Sequence, residues 1–242
     1  MRFIVMHKVD ANMEAGGPPS PRIIADMGTL VQGSLKEGVF LNGAGLHRSA
    51  RRVRLQRAAG KTQLTHGPYS GSNELVAAFT MISAKSLDAA VGHAGTLASA
   101  LGDVELEVGP VVEPWDVGLV PKPEGNLPER FLLLTKSTRE DEAGNTATKH
   151  AAAVQQLSAS LGNEGAVLAA DSLAPSAQGS RLPPTGKGKR TWVDGPFAES
   201  KELIAGFSLL SLPSKPDALR WADRYAAILV DCEVDVRQVN EP

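Results

Sequence analysis

The chain reads WVDGPFAESKE from Trp192 to Glu202, and it reads LTHGPYSGSNE from Leu64 to Glu74. Both stretches place a Gly-Pro pair before an aromatic residue, and the two glycines, Gly67 and Gly195, lie 128 positions apart. Glycine followed by proline favours a tight bend of the backbone. An unusual turn that occurs twice indicates that the sequence around it is repeated as well.

Similarity at the same spacing extends over most of the chain, which indicates an internal duplication. The matching segments keep one order, and their offset changes by a single residue. We therefore predict a first domain at residues 1–112, a linker at 113–128 that is rich in proline, and a second domain at 129–242. The paired segments include RFIVMHK with RFLLLTK, EAG with EAG, EGVFLNGAGLHRSA with EGAVLAADSLAPSA, and ELEVGPV with EVDVRQV.

Each half predicts the order strand, helix, strand, hairpin, strand, helix, strand. Ser20 is a predicted helix cap before Pro21, and Ser86 and Ser214 are predicted caps of the second helix in each half. This order is that of a ferredoxin-like α+β sandwich, βαββαβ plus a hairpin. Because one such sheet leaves a face uncovered, we predict two tandem domains packed sheet to sheet as a pseudo-dimeric α/β barrel.

Composition excludes several classes of protein. The formal net charge is −2, and the single cysteine, Cys232, rules out an internal disulfide. No apolar run approaches the roughly 20 residues of a membrane span, and the first residues do not resemble a signal peptide. We therefore expect a cytoplasmic protein that has no membrane partner.

Nucleic acid, metal and cofactor binding are not expected. The basic segments RRVRLQR and GKGKR mark the two hairpins, but no aromatic residues alternate with their charges as in proteins that bind single strands. Histidine, cysteine and carboxylate residues show no metal-ligand spacing. The chain also contains no phosphate-binding or dinucleotide-binding fingerprint.

The string DGPFAESKELIAGF, together with RFLLLTK, EAG and PSA, resembles the YCII-related family, in particular its branch with the DGPF motif. The resemblance covers both halves. It implies a dimeric α/β-barrel arrangement with a cleft for a small molecule in a bacterial protein. Relatives are proposed enzymes with a His/Asp pair, one branch dehalogenates lactones, and DGPF genes often neighbour those of sigma factors.

The residues expected to form that His/Asp pair are divided between the halves. His47 follows GAGL in the first half, where the second half has Ala174, and Asp194 begins DGPF, where the first half has His66. In one interpretation His47 and Asp194 form a composite site across the interface, with the carboxylate orienting the imidazole as a general base. In the other, the site lies within one domain and both copies have lost it.

The turn has a structural interpretation too. Asp194 can accept backbone N–H bonds as an Asx turn. Lys201 is a candidate contact for an anion, whereas a solvated edge of mixed charge is the alternative for this segment. The further candidates for substrate binding are Glu199, Pro196 and Phe197.

Two functions remain open at this point. One is a non-catalytic protein that binds a small molecule or is accessory to sigma-factor regulation. The other is an enzyme that catalyses proton transfer, isomerisation or elimination on a small, lactone-like substrate. The sequence also leaves open whether the pseudo-dimer associates further as a homodimer.

Overall fold

A computed structural model of the chain describes residues 1–71, 74–125, 127–184, 190–198, 200–201, 203–229 and 231–241. Within these ranges the chain forms twelve strands and six α-helices. The helices are α1 (Ala11–Glu14), α2 (Pro21–Lys36), α3 (Leu87–Leu101), α4 (Arg139–Glu142), α5 (Thr146–Leu161) and α6 (Lys215–Leu229). The strands are β1 (Arg2–Lys8), β2 (Phe40–Leu46), β3 (Val53–Ala58), β4 (Lys61–His66), β5 (Val76–Ala84), β6 (Val104–Val112), β7 (Glu129–Lys136), β8 (Gly165–Ser172), β9 (Ser180–Leu182), β10 (Val193–Asp194), β11 (Ile204–Ser211) and β12 (Val234–Gln238).

The strands form one long antiparallel arrangement with two parts. The first sheet has the order β10-β9-β12-β1-β11-β2, and the second has the order β6-β7-β5-β8. The hairpin β3–β4 joins the second sheet through β6. Pairing of β2 with β6, at Gly45 with Val112 and at Leu46 with Val111, connects the two sheets. The predicted α+β class is confirmed.

Each sheet takes strands from both halves of the sequence. Strand β1 lies between β11 and β12, and β7 lies between β5 and β6. The first strand of each half is therefore hydrogen-bonded on both sides to strands of the other half. The predicted domain bounds, 1–112 and 129–242, describe the repeat in the sequence and stay a prediction. Backbone hydrogen bonds join strands of one predicted domain to strands of the other.

Burial on both faces explains why the four central residues of β1 (3–6) and of β7 (131–134) are all apolar. Successive side chains of a strand point to opposite faces. Phe3 and Val5 pack with Trp221 of α6, whereas Ile4 and Met6 belong to a core cluster that also contains residues of the second sheet. On β7, Phe131 and Leu133 pack against α3 and α5, and Leu132 and Leu134 join the shared core cluster.

The predicted caps of the helices are confirmed. The hydroxyl of Ser20 accepts a hydrogen bond from Ile23 N, with Pro21 in the first turn, and Ser86 and Ser214 accept from residues three positions on. Along α2, Leu30 is buried, whereas Leu35 near the end of the helix is 54% exposed. No helix in the ranges given above is long and apolar enough to cross a membrane.

Two histidines are buried on the helix-facing sides of the sheets. Nδ1 of His7 lies 2.6 Å from the hydroxyl of Tyr225, and Nε2 of His150 lies 3.3 Å from the hydroxyl of Thr80. Burial lowers the pKa of each imidazole from 6.5 to about 4. Both rings are therefore neutral in the folded protein at neutral pH.

We predict that acid weakens the fold through these histidines. Because their folded pKa lies below the unfolded value, their contribution is complete above pH 6.5 and is lost as the pH falls towards about 4. Each histidine lowers the free energy of unfolding by up to about 1.4 kcal/mol per pH unit in that range. The free energy of unfolding, measured with denaturant at several pH values, should depend less steeply on pH for His150→Gln than for the native chain. An unchanged slope would contradict the assignment.

Candidate functional site

The two Gly-Pro turns pack against equivalent pieces of backbone. The peptide bonds Gly67–Pro68 and Gly195–Pro196 are both cis. A Cβ atom on Gly67 would lie 1.8 Å from the carbonyl oxygen of Ser49, and one on Gly195 would lie 1.9 Å from that of Ser176. Each serine begins a short 3-10 helix. Only glycine permits this approach, which explains why both halves retain it.

A glutamate and a serine hold each turn in place. Glu14 accepts hydrogen bonds from the backbone N–H and the hydroxyl of Ser49, and the Ser49 hydroxyl accepts from Tyr69 N at 3.3 Å. In the second half, Glu142 binds Ser176 in the same way, and Ser176 accepts from Phe197 N at 3.1 Å. These two groups are called the glutamate–serine clusters below.

The glutamate–serine clusters are structural. Both serines are 0% exposed, and each hydroxyl already donates to a glutamate and accepts from a backbone N–H of the turn, so neither has a hydrogen-bond donor left for a ligand. Burial raises the pKa of Glu142, but the hydrogen bonds from Ser176 and Ser137 outweigh this effect and lower it. The carboxylate is thus held in its charged, hydrogen-bonding form. In each half, three of the repeated segments therefore meet in one packing contact. These segments contain EAG, SA and Gly-Pro.

The aromatic residue of each turn stacks on an arginine. The guanidinium carbon of Arg54 lies 4.4 Å from the centre of the Tyr69 ring, and that of Arg181 lies 4.3 Å from the centre of the Phe197 ring. Such cation–π contacts are stronger when they are removed from water. They place a positive charge behind each turn.

These arginines join buried networks of ion pairs that cross between the halves. Arg54 pairs with Glu74 at 2.8 Å, and Lys136 of the other half pairs with the same carboxylate. Likewise, Arg181 pairs with Asp235 at 2.7 Å, and Lys8 of the other half lies 3.2 Å from it. Removal of one member would leave a buried charge uncompensated, so each network ties the halves together.

A further arginine comes from different segments in the two halves: Arg52 directly precedes β3, whereas Arg237 belongs to β12. Arg52 lies against Gly109, whereas Arg237 lies against Gly179, which occupies the place of Arg52 in the repeat. Arg52 donates a hydrogen bond to the carbonyl of His47, and Arg237 donates to the carbonyl of Ala174, the counterpart of His47. Both halves therefore support the same backbone position with an arginine.

His47 lies beside the linker, and its side-chain partners come from there and from the next turn. Nε2 lies 3.2 Å from Oδ2 of Asp116, and Nη1 of Arg51 lies 3.0 Å from Nδ1 and 3.1 Å from Nε2. Burial and the charge of Arg51 lower the pKa of His47, against the opposing effect of Asp116. With Arg51 donating to Nδ1, the ring N–H at Nε2 donates to Asp116.

A cavity of about 120 Å³ opens next to this histidine. We call it the linker cavity, because most of its wall comes from residues 113–129. It carries charges of both signs and one tryptophan. Its lining includes His47, Arg51, Glu113, Trp115, Asp116 and Lys122. The polar groups and the aromatic ring suit a polar ligand of only a few atoms, because the volume is below the roughly 300–1,000 Å³ of typical ligand pockets.

Asp194 makes its contacts elsewhere. Its Oδ1 accepts hydrogen bonds from the hydroxyl of Ser180 at 2.6 Å and from Nζ of Lys215 at 2.9 Å, and these bonds lower its pKa. Among the hydrogen bonds and ion pairs of the described ranges, none joins His47 to Asp194. His66 is exposed and pairs with Val53 at the end of the β3–β4 hairpin. The predicted catalytic residues thus each have local partners, and their joint action stays a prediction.

The candidate substrate-binding residues surround a contact between the two repeated turns. A Cβ on Gly71 would lie 1.9 Å from the carbonyl oxygen of Lys201, and Glu74 N donates to Ser200 O at 2.7 Å. The segments that follow the two turns therefore meet. Phe197 is half-buried, Pro196 and Lys201 are exposed, and Glu199 lies outside the described residues.

Sequence reasoning missed two parts of the site. The EAG and SA segments were recognised as repeats, and that repetition was the available signal for the Glu14–Ser49 contact. Asp116 gave no comparable signal, because it lies in the linker and has no counterpart in the repeat. Across the described ranges, no group of three or more His, Cys, Asp or Glu side chains is arranged to hold a metal ion.

Comparison with known proteins bears on the half that carries DGPF. Residues 130–240 match the family model of the YCII-related domain. That half contains Glu142, Ser176, Gly195 and Phe197, so the second glutamate–serine cluster lies wholly within the YCII-related match. Comparisons with curated proteins and with solved structures find no match.

The close packing of the turns predicts a large effect of one methyl group. Gly67→Ala places a Cβ against the Ser49 carbonyl and should lower the free energy of unfolding by about 3 kcal/mol or more. Gly28→Ala, in α2 with open space around it, is the matched control and should raise stability by up to about 1 kcal/mol. Equal effects of the two changes in denaturant unfolding would refute the packing argument.

The arginine exchanged between strands predicts a compensating pair of substitutions. Arg52→Gly removes a buried partner of Glu107 and should cost about 3–5 kcal/mol. Adding Gly109→Arg to that variant copies the arrangement of Gly179 with Arg237 and should restore at least half of the loss. Gly109→Arg alone should destabilise, because Arg52 already occupies the space. Additive losses in the double variant would disprove this equivalence.

Proposed function

We propose that the chain is a small-molecule-binding protein, built from two YCII-like, ferredoxin-like halves that fold as an intramolecular pseudo-dimer. The repeat at an offset of 127–128 residues supports the duplication, with Ser49 and Ser176 in equivalent contacts. Strand β1 pairs with a strand of the second half, and β7 pairs with a strand of the first. This exchange of β1 and β7 between the halves supports the pseudo-dimer. The DGPF string in the second half supports its membership of the DGPF branch.

We infer that the chain binds its ligand without proton transfer by a His47–Asp194 pair. The observation that carries this proposal is the engagement of both groups: the ring nitrogens of His47 by Asp116 and Arg51, and the carboxylate of Asp194 by Ser180 and Lys215. A general base needs an unoccupied nitrogen within reach of the substrate proton. The linker cavity beside His47 is the proposed binding site. The regulatory form of this proposal is an accessory role with a sigma factor.

An enzyme that uses His47 with Asp116 is the second candidate. The low pKa of His47 and the hydrogen bond from its Nε2 to Asp116 favour this alternative, since a neutral, oriented ring can accept a proton. It requires a substrate that displaces Arg51 from Nδ1. The reaction class is then proton transfer, isomerisation or elimination on a small, lactone-like molecule.

A ligand screen separates these functions. The native chain is incubated with metabolites, lactones and phosphorylated compounds, and thermal shift detects binding while mass spectrometry detects turnover. A ligand at 100 times its dissociation constant adds about 2.7 kcal/mol to stability. We expect a stabilising ligand that is not consumed, with the shift lost in His47→Ala and in Asp116→Asn but retained in Asp194→Asn.

Other outcomes decide between the alternatives. Turnover that is lost in Asp116→Asn and retained in Asp194→Asn would establish the enzyme with the linker carboxylate. Turnover abolished by Asp194→Asn in a folded variant would overturn the account and establish the composite site. A shift that survives His47→Ala and Asp116→Asn would place the ligand outside the linker cavity.

A further inference from the structure

A second cavity, of about 340 Å³, opens at the N-terminal end of α5. It shares no lining residue with the linker cavity. Its walls come from the ends of α3 and β7, from α4 and from the first turn of α5. The residues that matter below are Thr135, Arg139, Glu140, Asp141, Lys149 and His150.

A buried hydroxyl in the wall of this cavity has no partner. Thr135 is 5% exposed, and its Oγ1 makes no hydrogen bond in the ranges that the structure describes. An unsatisfied buried polar group costs about 1–3 kcal/mol. A molecule in the cavity could supply the missing partner, so this hydroxyl points to a ligand independently of the helix.

The start of α5 lies in the same wall, because its first residue, Thr146, lines the cavity. The helix has 16 residues, and Asn145, which precedes it, makes no side-chain capping bond. The first N–H groups of a helix have no partner within the helix, and they lie at the positive end of its dipole. Such an end binds phosphate and carboxylate groups.

The charged residues of the cavity leave two cations available. Arg139 and Lys149 are exposed and make no ion pair or hydrogen bond through their side chains within the described part of the chain. Asp141 already accepts from Thr138 N at 2.8 Å and from the Thr146 hydroxyl at 3.0 Å. Asp103 accepts from Ala59 N at 2.9 Å. The remaining carboxylate, Glu140, is exposed at the rim.

The other half of the chain provides an internal comparison. His7 stands at the position equivalent to Thr135, and its ring nitrogen lies 2.6 Å from the hydroxyl of Tyr225, for which Leu97 stands in the repeat. The equivalent helix α2 is capped by Ser20. There the polar groups satisfy one another, whereas near α5 the Thr135 hydroxyl has no partner among the described residues.

We propose that the α5 cavity binds the oxyanion end of a small metabolite, a phosphate or carboxylate group, through the Thr135 hydroxyl, the first N–H groups of α5, and Arg139 with Lys149. The neutral ring of His150 forms part of the wall against which the rest of the molecule packs. The volume is at the lower end of the range for ligand pockets. This site is independent of the function proposed at the linker cavity.

The test is an NMR titration of the whole chain with inorganic phosphate and, separately, with acetate, at ionic strength held constant with chloride. We expect saturable shifts of the backbone N–H signals of Thr146, Ala147 and Thr148. A response to phosphate alone assigns a phosphate end, and a response to acetate alone assigns a carboxylate end. No saturable response to either anion overturns the proposal.

Thr135→Val separates binding from structure. The substitution preserves shape and removes a hydroxyl that has no partner, so thermal stability without anion should stay equal or rise. The affinity for the responding anion should fall about tenfold, because a hydrogen bond to a charged group is lost. An unchanged affinity would exclude Thr135 from the site and overturn the proposal as stated.

Charge variants test whether the response is local. Arg139→Gln with Lys149→Gln should abolish saturation at the α5 signals. Lys36→Gln with Lys61→Gln, two exposed residues elsewhere, removes the same charge and should leave it intact. An equal loss in both double variants would indicate a diffuse effect of charge, and retention in the first would likewise refute the site.

Discussion

Strands β1 and β7 are the elements on which the rest of the structure depends. Each is buried on both faces, and each is hydrogen-bonded on both edges to strands of the other half. The middle of such a strand must be apolar on both faces, as FIVM in β1 and FLLL in β7 are. These two strands provide the central core residues of both sheets. Lys8 and Lys136, at the ends of the strands, join the ion-pair networks of the opposite half. Folding of one half is therefore coupled to folding of the other.

The repeated motifs contribute to the packing that couples the two halves. A Gly-Pro turn that looks catalytic in sequence is packed by its glycine onto a buried serine, and the serine is held by the glutamate of EAG. The segments beyond the two turns then meet at Gly71 and Lys201. This packing accounts for the motifs that both halves share. We propose ligand binding at two features that the halves do not share. These are His47 with Asp116, and the start of α5, which has no side-chain cap.

Much of the fold could be predicted from the sequence, because its signals are local or repeated. Helix caps such as Ser20 act within one turn, and the recurrence of similar segments at an offset of 128 residues is visible without any structure. The exchange of β1 and β7 could not be predicted, since the apolar pattern of a doubly buried strand is the same whichever half supplies its neighbours. For the site, the resemblance to the YCII-related family pointed to His47, but its contact with Asp116 depends on the path of a linker that the repeat does not cover. Such long-range contacts follow from packing and leave no periodic pattern.

The most direct test of the account is to produce residues 1–112 and 129–242 as separate polypeptides and to measure their circular dichroism and size, alone and mixed. The account predicts that neither is a folded monomer, because each lacks the strand that fills the middle of its sheet. It also predicts that an equimolar mixture recovers the cooperative unfolding of the intact chain. A fragment that folds alone as a stable monomer would contradict the exchange of strands between the halves.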